Sequence, residues 1–556
     1  MKIRRALSIL FAFILITTAL LPSVGAANSC DCGNYPVVMV NGMGVYPYVC
    51  DAGLPTEHQV FPPAVDLSLA KMIAGVVPGV AAGYMDYNWS VFESVGIPAI
   101  YDYLHEFSCN PDGTSTYNVT TKAFYDSIDN YPEDMGGLSN EGSVVTAAFE
   151  RLPADHVYEY NYDWRISPLV NAEKLRTMIE LAKEQSGHDK VNIICASMGG
   201  VQTLGYIYKY GTEDIDSITF LSSTFTGTYI ISDLFTKRMD ITYDKLVNYL
   251  AGITGSETLE EVLEALKSFG ARGITSNIVE PHQTEELDAI YDEIIIPIFG
   301  YMGGVWALCQ DAEYEEAKEI MLAGADDSFI ELIDEFHYNV LNKVDDILYE
   351  ANEGGTRIYV FSHYNFGAIP VYERADEHAD TILETACTGG HATVAKYGET
   401  LGDASYKALG TVCADPSHNH VSPDRVVDAS TCMFPEYTWF AKDVEHVEVR
   451  RGSAYEDLLF KLVFSEEQLD VHTFPEYPQF LGRDFNAPLD SLHKYGDING
   501  DKVVGLEDVR LALCAAAGVY EPGYYSRCAA HTDGSDGKIY TENALEILKY
   551  TIGIAG

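Results

Sequence analysis

The chain has 556 residues, of which 83 are Asp or Glu and 35 are Lys or Arg, so its formal net charge is −48. Hydrophobic residues make up 47% and charged residues 21%, which is typical of a folded globular protein with room for a large core and a smaller module. A charge of this sign repels phosphate backbones; it excludes a nucleic-acid partner and disfavours an anionic membrane surface.

The first residues have the layout of a secretory signal peptide. A short basic head is followed by an apolar run from Ala6 to Leu21 and by small residues near Ala26. Because the run is shorter than the ~20 residues of a membrane span, it predicts a cleaved signal and no transmembrane anchor. We therefore expect residues 1–27 to be removed and the mature protein to be secreted.

Eleven cysteines are spread along the chain. In an exported protein some of them can pair, and Cys30, Cys32 and Cys50 are close enough in sequence to be candidates. The odd number leaves at least one thiol unpaired, for which we favour Cys195 at the end of an apolar strand. The Cys-x-Cys spacing at 30–32 is not that of a zinc ribbon, so we predict no zinc site there.

From residue 34 the chain alternates strand-like and helix-like segments, which predicts an α/β fold with a mostly parallel sheet. Apolar runs predict strands at 36–40, 156–161, 190–195, 215–221 and 357–361, and helical spacing predicts helices at 171–185, 199–210 and 454–464. Between residues 222 and 355 the pattern becomes helical and acidic, which predicts an inserted cap. The apolar stretches 67–85 and 294–309 are either core helices or a lid, and their position after motif-bearing strands favours the lid.

Ser197 stands in a pattern that predicts a catalytic nucleophile. Residues 190–200 form an apolar strand, a sharp turn at the serine and a helix that begins at Gly199 and Gly200. Small neighbours permit a strained turn that lifts the hydroxyl above the strand ends and directs a helix N-terminus at developing negative charge. The usual pattern is Gly-x-Ser-x-Gly, and here Cys195 replaces the first Gly.

An acyl-transfer site also needs N–H donors for an oxyanion. We expect one donor to be the backbone N–H of Met198, at the start of the helix. The second is expected from Asn41-Gly-Met-Gly44, the loop after the first strand, with Met43 as the donor. An ordinary turn is the alternative interpretation of this loop.

Three short motifs lie along these strands: Tyr162-Asp-Trp-Arg165, Ala196-Ser-Met-Gly-Gly200 and Phe220-Leu-Ser-Ser. With them, residues 34–482 resemble the lecithin:cholesterol acyltransferase-like branch of the α/β-hydrolase superfamily. The resemblance implies an α/β-hydrolase fold with helical cap insertions, activity on lipid acyl chains, and a triad in the chain order Ser, Asp, His.

The resemblance places the triad acid after the strand at 357–361, in an Asp-Gly-x-Val-type turn. Asp380-Thr-Ile-Leu383 is the best match, although it lacks the Gly, and Asp376 is the rival. The base should be a histidine in the loop before the closing helix, where His446 fits. His420, in an earlier loop, is the alternative. His446 would then be the general base toward Ser197, oriented by the Asp carboxylate.

The C-terminal segment reads as a separate calcium-binding module. The loss of periodicity over residues 483–494 predicts a linker, and the residues after this linker follow the pattern of a calcium loop with a helix. The ligands at its first, third, fifth, seventh (a carbonyl) and twelfth places would be Asp497, Asn499, Asp501, Val503 and Asp508. A second, degraded copy retains Asp536. Residues 495–556 thus resemble a dockerin, a small all-α module, which implies Ca2+ as its cofactor and a cohesin of an extracellular or cell-surface scaffold as its partner.

The sequence predicts a secreted serine esterase, lipase or acyltransferase acting on acyl esters of lipids or of plant polysaccharides, with no cofactor for catalysis. Two alternatives stay open. The first is a non-catalytic lipid- or carbohydrate-binding protein displayed on a cellulosome, and the second is a peptidase with the same triad.

Overall fold

The computed structural model describes residues 30, 32–44, 46–61, 90–121, 124–131, 144–239, 288–401, 420–446, 456–482, 496–499, 504–520, 530 and 539–552. The predictions for the signal peptide, for the apolar stretch 67–85 and for the linker lie outside these residues. No helix in the described ranges combines the length and hydrophobicity needed to cross a bilayer.

The strands are short and are numbered in chain order. They are β1 (Val37–Val40), β2 (Tyr48–Cys50), β3 (His58–Phe61), β4 (Val119–Thr121), β5 (Val157–Tyr160), β6 (Val191–Ser197), β7 (Ile215–Ser223), β8 (Arg357–Tyr364), β9 (Phe366–Gly367), β10 (His378–Ala379), β11 (Thr393–Val394), β12 (Val427–Asp428), β13 (Thr438–Lys442) and β14 (Phe480–Leu481).

Within the described residues, seven strands form one parallel sheet in the order β14-β13-β8-β7-β6-β1-β5. Every residue of β1, β5 and β8 is buried. Strands covered on both faces read as continuous apolar runs, which is why the sequence located five of these seven strands. The predicted α/β class is confirmed, and the sheet is consistent with an α/β-hydrolase.

The α-helices connect and cover the strands. Those described are α1 (Ile97–Leu104), α2 (Val144–Arg151), α3 (Pro168–Ser186), α4 (Gly199–Tyr210), α5 (Tyr229–Phe235), α6 (Ile296–Phe299), α7 (Gly303–Trp306), α8 (Asp311–Met321), α9 (Asp327–Asn339), α10 (Val344–Glu353), α11 (Thr385–Thr388), α12 (Glu456–Val463), α13 (Leu506–Ala516) and α14 (Thr541–Thr551).

Local signals explain the bounds of α3, which packs beside α4. The Ser167 side chain accepts a hydrogen bond from the Leu169 N–H, and Pro168 occupies the first helical position. Gly187 ends the helix with φ 74°, a conformation that glycine adopts without steric cost. The pair α3 and α4 thereby covers the sheet next to β6.

Helices α5 to α10 occupy the chain between β7 and β8, where the sequence predicts a cap. The apolar stretch 294–309 lies here, and Ile298, Met302 and Trp306 from it are buried in the main hydrophobic cluster. This stretch is therefore packed into the main hydrophobic cluster. A closed lid and a core helix are both buried, so the lid stays a prediction.

The described part of the C-terminal segment has a small core of its own. Helices α13 and α14 contact each other, and Ile498, Val509 and Ile547 belong to a cluster separate from that of the main sheet.

All cysteines in the described ranges are free thiols, Cys195 included. The disulfide candidates Cys30, Cys32 and Cys50 are therefore unpaired in this structure.

Candidate active site

Ser197 is the last residue of β6 and has φ 53°, a left-handed conformation that is strained for a serine. The turn leaves no room for larger neighbours. A Cβ on Gly199 would lie 2.3 Å from the Val40 carbonyl oxygen, and one on Gly200 would lie 2.2 Å from Ser223 Oγ. Cys195, which replaces the usual glycine, is fully buried inside β6.

The backbone around Ser197 is held from the neighbouring strand. Its carbonyl oxygen accepts hydrogen bonds from Ser223 Oγ at 2.8 Å and from the Thr224 N–H at 3.0 Å. Met198 follows as the N-cap residue of α4, so its N–H lies at the positive end of that helix. These contacts fix the turn between β6 and α4.

The loop after β1 approaches Ser197 closely. A Cβ on Gly42 would lie 2.6 Å from Ser197 Cβ and 3.1 Å from its Oγ, so glycine is required at this position. The loop is anchored by Asn41, whose side chain donates to Glu159 at 2.7 Å and to Asn161 at 2.8 Å. Met43, the expected second oxyanion donor, directly follows Gly42; its role stays a prediction.

His446 and Asp380 come together although 66 residues separate them. His446 Nδ1 lies 2.7 Å from Asp380 Oδ2, and the His446 backbone N–H donates to the Asp380 carbonyl at 2.6 Å. The aspartate side chain is fully buried, whereas the histidine side chain is 12% exposed. An imidazole held by a buried carboxylate in this way has a fixed tautomer and orientation.

The Asp380 carboxylate is held from several sides. Its Oδ1 accepts backbone hydrogen bonds from Ile382 at 3.0 Å and Leu383 at 2.7 Å, and its Oδ2 accepts one from Ser222 Oγ. Burial alone would raise the pKa of Asp380, but the His446 ring and the Ser222 hydroxyl outweigh it, so the pKa lies below its ordinary value. The group is therefore kept ionised.

The rivals of these two residues lie in other surroundings. Asp376 is 39% exposed and pairs with Lys396 at 2.7 Å. His420 is buried, and its Nδ1 lies 3.1 Å from the Gln479 side chain. The structure thus brings His446 to Asp380, but it brings neither rival to that pair.

The step between Ser197 and His446 is the part of the triad for which the described residues show no hydrogen bond. The described contacts include no hydrogen bond from the Ser197 hydroxyl to the His446 ring. Such contacts often tighten only when substrate is bound. The proton relay from serine to histidine therefore stays a prediction.

Two further buried residues, Ser222 and Glu384, make contacts in this region that no motif in the sequence reveals. Ser222 has φ 40° and bonds to Asp380; its motif was noticed, but its contact was not foreseen. Glu384 is buried and accepts hydrogen bonds from Thr228 Oγ1 at 2.7 Å and from the Ile230 N–H at 3.2 Å, so it caps α5. Burial raises the pKa of Glu384 against the opposing hydrogen bonds of Tyr372 and Thr228.

Arg165, from the Tyr-Asp-Trp-Arg motif, has a structural position. Its guanidinium is fully buried and pairs with Asp163 at 2.7 Å. It also donates to the carbonyl oxygens of Phe107 at 3.1 Å and Val119 at 3.4 Å, and it stacks on the Phe107 ring. The motif thereby fastens the turn after β5 to the antiparallel sheet of β2, β3 and β4.

Three of the six expected calcium ligands lie in the described residues. Asp497 and Asp508 are almost completely buried. The Asp508 carboxylate accepts backbone hydrogen bonds from Ile498 at 2.7 Å, Asn499 at 3.2 Å and Gly505 at 2.8 Å, so it closes the loop onto α13. The other expected ligands, which are Asp501, Val503 and Asp536, lie outside the described residues.

No family model and no curated protein matches the chain. Among solved structures, the Tle4–Tli4 complex is similar at 15% identity and a TM-score of 0.26, covering 59% of this chain and 74% of that chain. Lipase 1 from Pelosinus fermentans is similar at 13% identity and a TM-score of 0.20, covering 77% of this chain and 98% of that chain. Likenesses this weak identify neither a family branch nor an activity.

Proposed function

We propose that this protein is a serine hydrolase that cleaves acyl esters with Ser197 as nucleophile, His446 as general base and Asp380 as the residue that orients the base. One observation carries the proposal. A strained serine ends β6, and a buried Asp–His pair lies on loops of the same parallel sheet, after β8 and after β13. Carboxyl ends of parallel strands meet at one edge of a sheet, which is where such sheets bind ligands.

The reaction follows from these roles. Ser197 Oγ attacks the ester carbonyl while its proton passes to His446 Nε2, and the oxyanion accepts hydrogen bonds from the Met43 and Met198 N–H groups. The tetrahedral intermediate collapses, the C–O bond to the alcohol breaks, and the alcohol takes the proton from His446. Water, activated by the same histidine, then hydrolyses the acyl-enzyme; an acceptor alcohol in its place would make the enzyme an acyltransferase.

The finer assignment is to the lecithin:cholesterol acyltransferase-like branch. It is supported by the Tyr-Asp-Trp-Arg motif. The buried Arg165 of this motif pairs with Asp163 and donates to the Phe107 carbonyl, a structural role that a chance match to the motif would not require. The helices between β7 and β8 fit the cap of that branch. A lipid ester is therefore the first substrate class to test, and an acylated plant polysaccharide is the second.

A panel of chromogenic esters with graded acyl length tests the catalytic proposal. The wild type should hydrolyse them, Ser197→Ala should not, and Ser465→Ala, at a half-buried serine after α12 that bonds to the Glu467 backbone, should match the wild type. Full activity of Ser197→Ala would contradict the proposal. The acyl length that gives the highest kcat/KM identifies the substrate class.

The C-terminal segment, we propose, is a dockerin that binds Ca2+ through the first loop and docks to a cohesin outside the cell. The spacing of oxygen ligands in the first loop supports this binding, and Asp508, at the twelfth place, accepts hydrogen bonds from the Ile498 and Gly505 N–H groups and so joins the loop to α13. The exposure of Leu506, Leu513 and Val519 on this small module supports a protein partner.

A pull-down with a panel of cohesins tests the tail separately from catalysis. Binding should require calcium, be abolished by a chelator, and be weakened by Asp497→Asn. The control Glu507→Gln, at an exposed residue of α13 that pairs with Arg510, should still bind. Failure of every cohesin with calcium present would contradict the dockerin assignment and leave the hydrolase proposal intact.

A further inference from the structure

Two thiols and two imidazoles lie close together at the N-terminal ends of the central strands, whereas Ser197 lies at the C-terminal end of β6. Cys32 Sγ lies 3.4 Å from His156 Nε2 and 3.4 Å from His188 Nε2. Cys30 completes the group, and the four side-chain donor atoms all lie within 4.8 Å of one another. These residues precede β1, β5 and β6, so the group joins the N-terminal ends of three adjacent strands.

The donor atoms have the chemistry and spacing of a tetrahedral zinc site. With Zn–S of about 2.3 Å and Zn–N of about 2.0 Å, sulfur and nitrogen ligands of one ion lie roughly 3.6 Å apart. The two distances from Cys32 Sγ are close to this value. Two sulfurs and two imidazoles in a tetrahedron favour zinc, whereas calcium and magnesium require oxygen.

Hydrogen bonds around the group prepare it for a metal. Asp155 Oδ1 lies 2.8 Å from His156 Nδ1. A carboxylate accepts hydrogen bonds, so the proton sits on Nδ1 and the lone pair of Nε2 faces the thiols, as in other carboxylate–histidine–zinc arrangements. The Cys32 N–H points at Cys30 Sγ at 3.4 Å, which suits a metal-bound thiolate.

We propose that Cys30, Cys32, His156 and His188 bind one structural zinc ion. Four protein ligands leave no open position for substrate or water. Ser197 lies at the far end of β6, and seven residues of strand span about 20 Å, so the ion takes no part in ester cleavage. Its role is to clamp the segment before β1 to the starts of β5 and β6. Sequence spacing made these cysteines disulfide candidates and predicted no zinc site, so this proposal replaces that prediction.

Metal content and cobalt spectroscopy of the full chain test this site. The protein, dialysed without chelator and with calcium in excess, should retain one zinc per chain. Cobalt in its place should show the visible absorption of a tetrahedral ion and a near-ultraviolet thiolate charge-transfer band. Zinc should displace it. No retained zinc and no such spectrum in the folded wild type would overturn the proposal, and so would a Cys30–Cys32 disulfide found by mass spectrometry.

Variants then assign the ligands, each measured on the monomer isolated by gel filtration. Cys32→Ser should abolish the charge-transfer band and the zinc, and His188→Asn should lower zinc affinity by at least about tenfold. Cys50→Ser and His58→Asn are matched controls, because these residues form another group with Glu106 that could hold a metal. Loss of zinc in the controls but not in Cys32→Ser would overturn the assignment. Ester hydrolysis is not used here, so failure of this site leaves the proposed function untouched.

A melting curve provides a readout that does not depend on cobalt. A zinc-selective chelator should lower the Tm of the wild type, because an ion that binds the folded state stabilises it. The same chelator should leave the Tm of Cys32→Ser unchanged. Equal shifts in both proteins would contradict the clamp.

Discussion

The two ends of the strands in the central sheet differ in their backbone strain. At the C-terminal ends of the neighbouring strands β6, β7, β8 and β13 stand four non-glycine residues with positive φ, namely Ser197, Ser222, Asn365 and Asp443. None of the residues that begin these strands has this conformation. We assign catalysis to the C-terminal ends of the strands, where these residues lie. The N-terminal ends hold Cys30, Cys32, His156 and His188, none of which has a positive φ. Strain of this kind persists only where surrounding contacts impose it, and it concentrates at functional sites.

The largest effect that this comparison predicts is on the acid of the site. Asp380→Asn should lower kcat/KM about 10^4-fold, because an asparagine no longer holds the charged, correctly oriented histidine. Asp376→Asn is the matched control, since that carboxylate is exposed and bonds to Lys396. Ester kinetics of both variants decide the case: a large loss in Asp376→Asn with normal Asp380→Asn would reverse the assignment.

The next effect concerns the loop beside the nucleophile. Gly42→Ala would drive a methyl group into Ser197 Cβ, so the loop must shift and lose an oxyanion donor, at a cost of roughly 10^2 to 10^3 in kcat. Gly505→Ala is the control, because a Cβ there meets nothing within 4 Å and its φ is −141°. A Gly42→Ala enzyme with normal kcat would show that this loop is an ordinary turn.

A smaller effect is expected at the strained end of β7. Ser222→Ala removes one hydrogen bond to the Asp380 carboxylate, and bonds to charged groups contribute about 1.5–3 kcal/mol. The loss in kcat should therefore be roughly 10- to 100-fold, with KM unchanged. Ser465→Ala should show none of it. If Ser222→Ala were as damaging as Asp380→Asn, the serine would have a role beyond positioning.

The smallest effect is on stability at acid pH. The folded pKa of Asp380 lies below its ordinary value, so its ionised form stabilises the protein above the unfolded pKa of ~3.9, and this contribution disappears as the pH falls through the folded pKa. Urea unfolding at a series of pH values should show a steeper acid loss for the wild type than for Asp380→Asn. Parallel curves would contradict the pKa shift.

The sequence predicts the residues at the C-terminal ends of the strands better than the group at their N-terminal ends. Apolar runs predict strands such as β6, and Ser197 lies in a local motif of strand, turn and helix. His446 and Asp380 were named because a family order of residues was available, not from spacing. The cysteine–histidine group has neither signal: Cys32 is 124 residues from His156 and 156 from His188, and only the parallel pairing of β1, β5 and β6 brings them together.

Covalent labelling of the nucleophile tests the central claim most directly. The full chain is treated with a fluorophosphonate probe, digested, and searched by mass spectrometry for the modified peptide. We predict one adduct, on Ser197, which is absent in Ser197→Ala, strongly reduced in His446→Ala and unchanged in Ser465→Ala. An adduct on another serine, or hydrolysis of esters without any adduct on Ser197, would contradict the account.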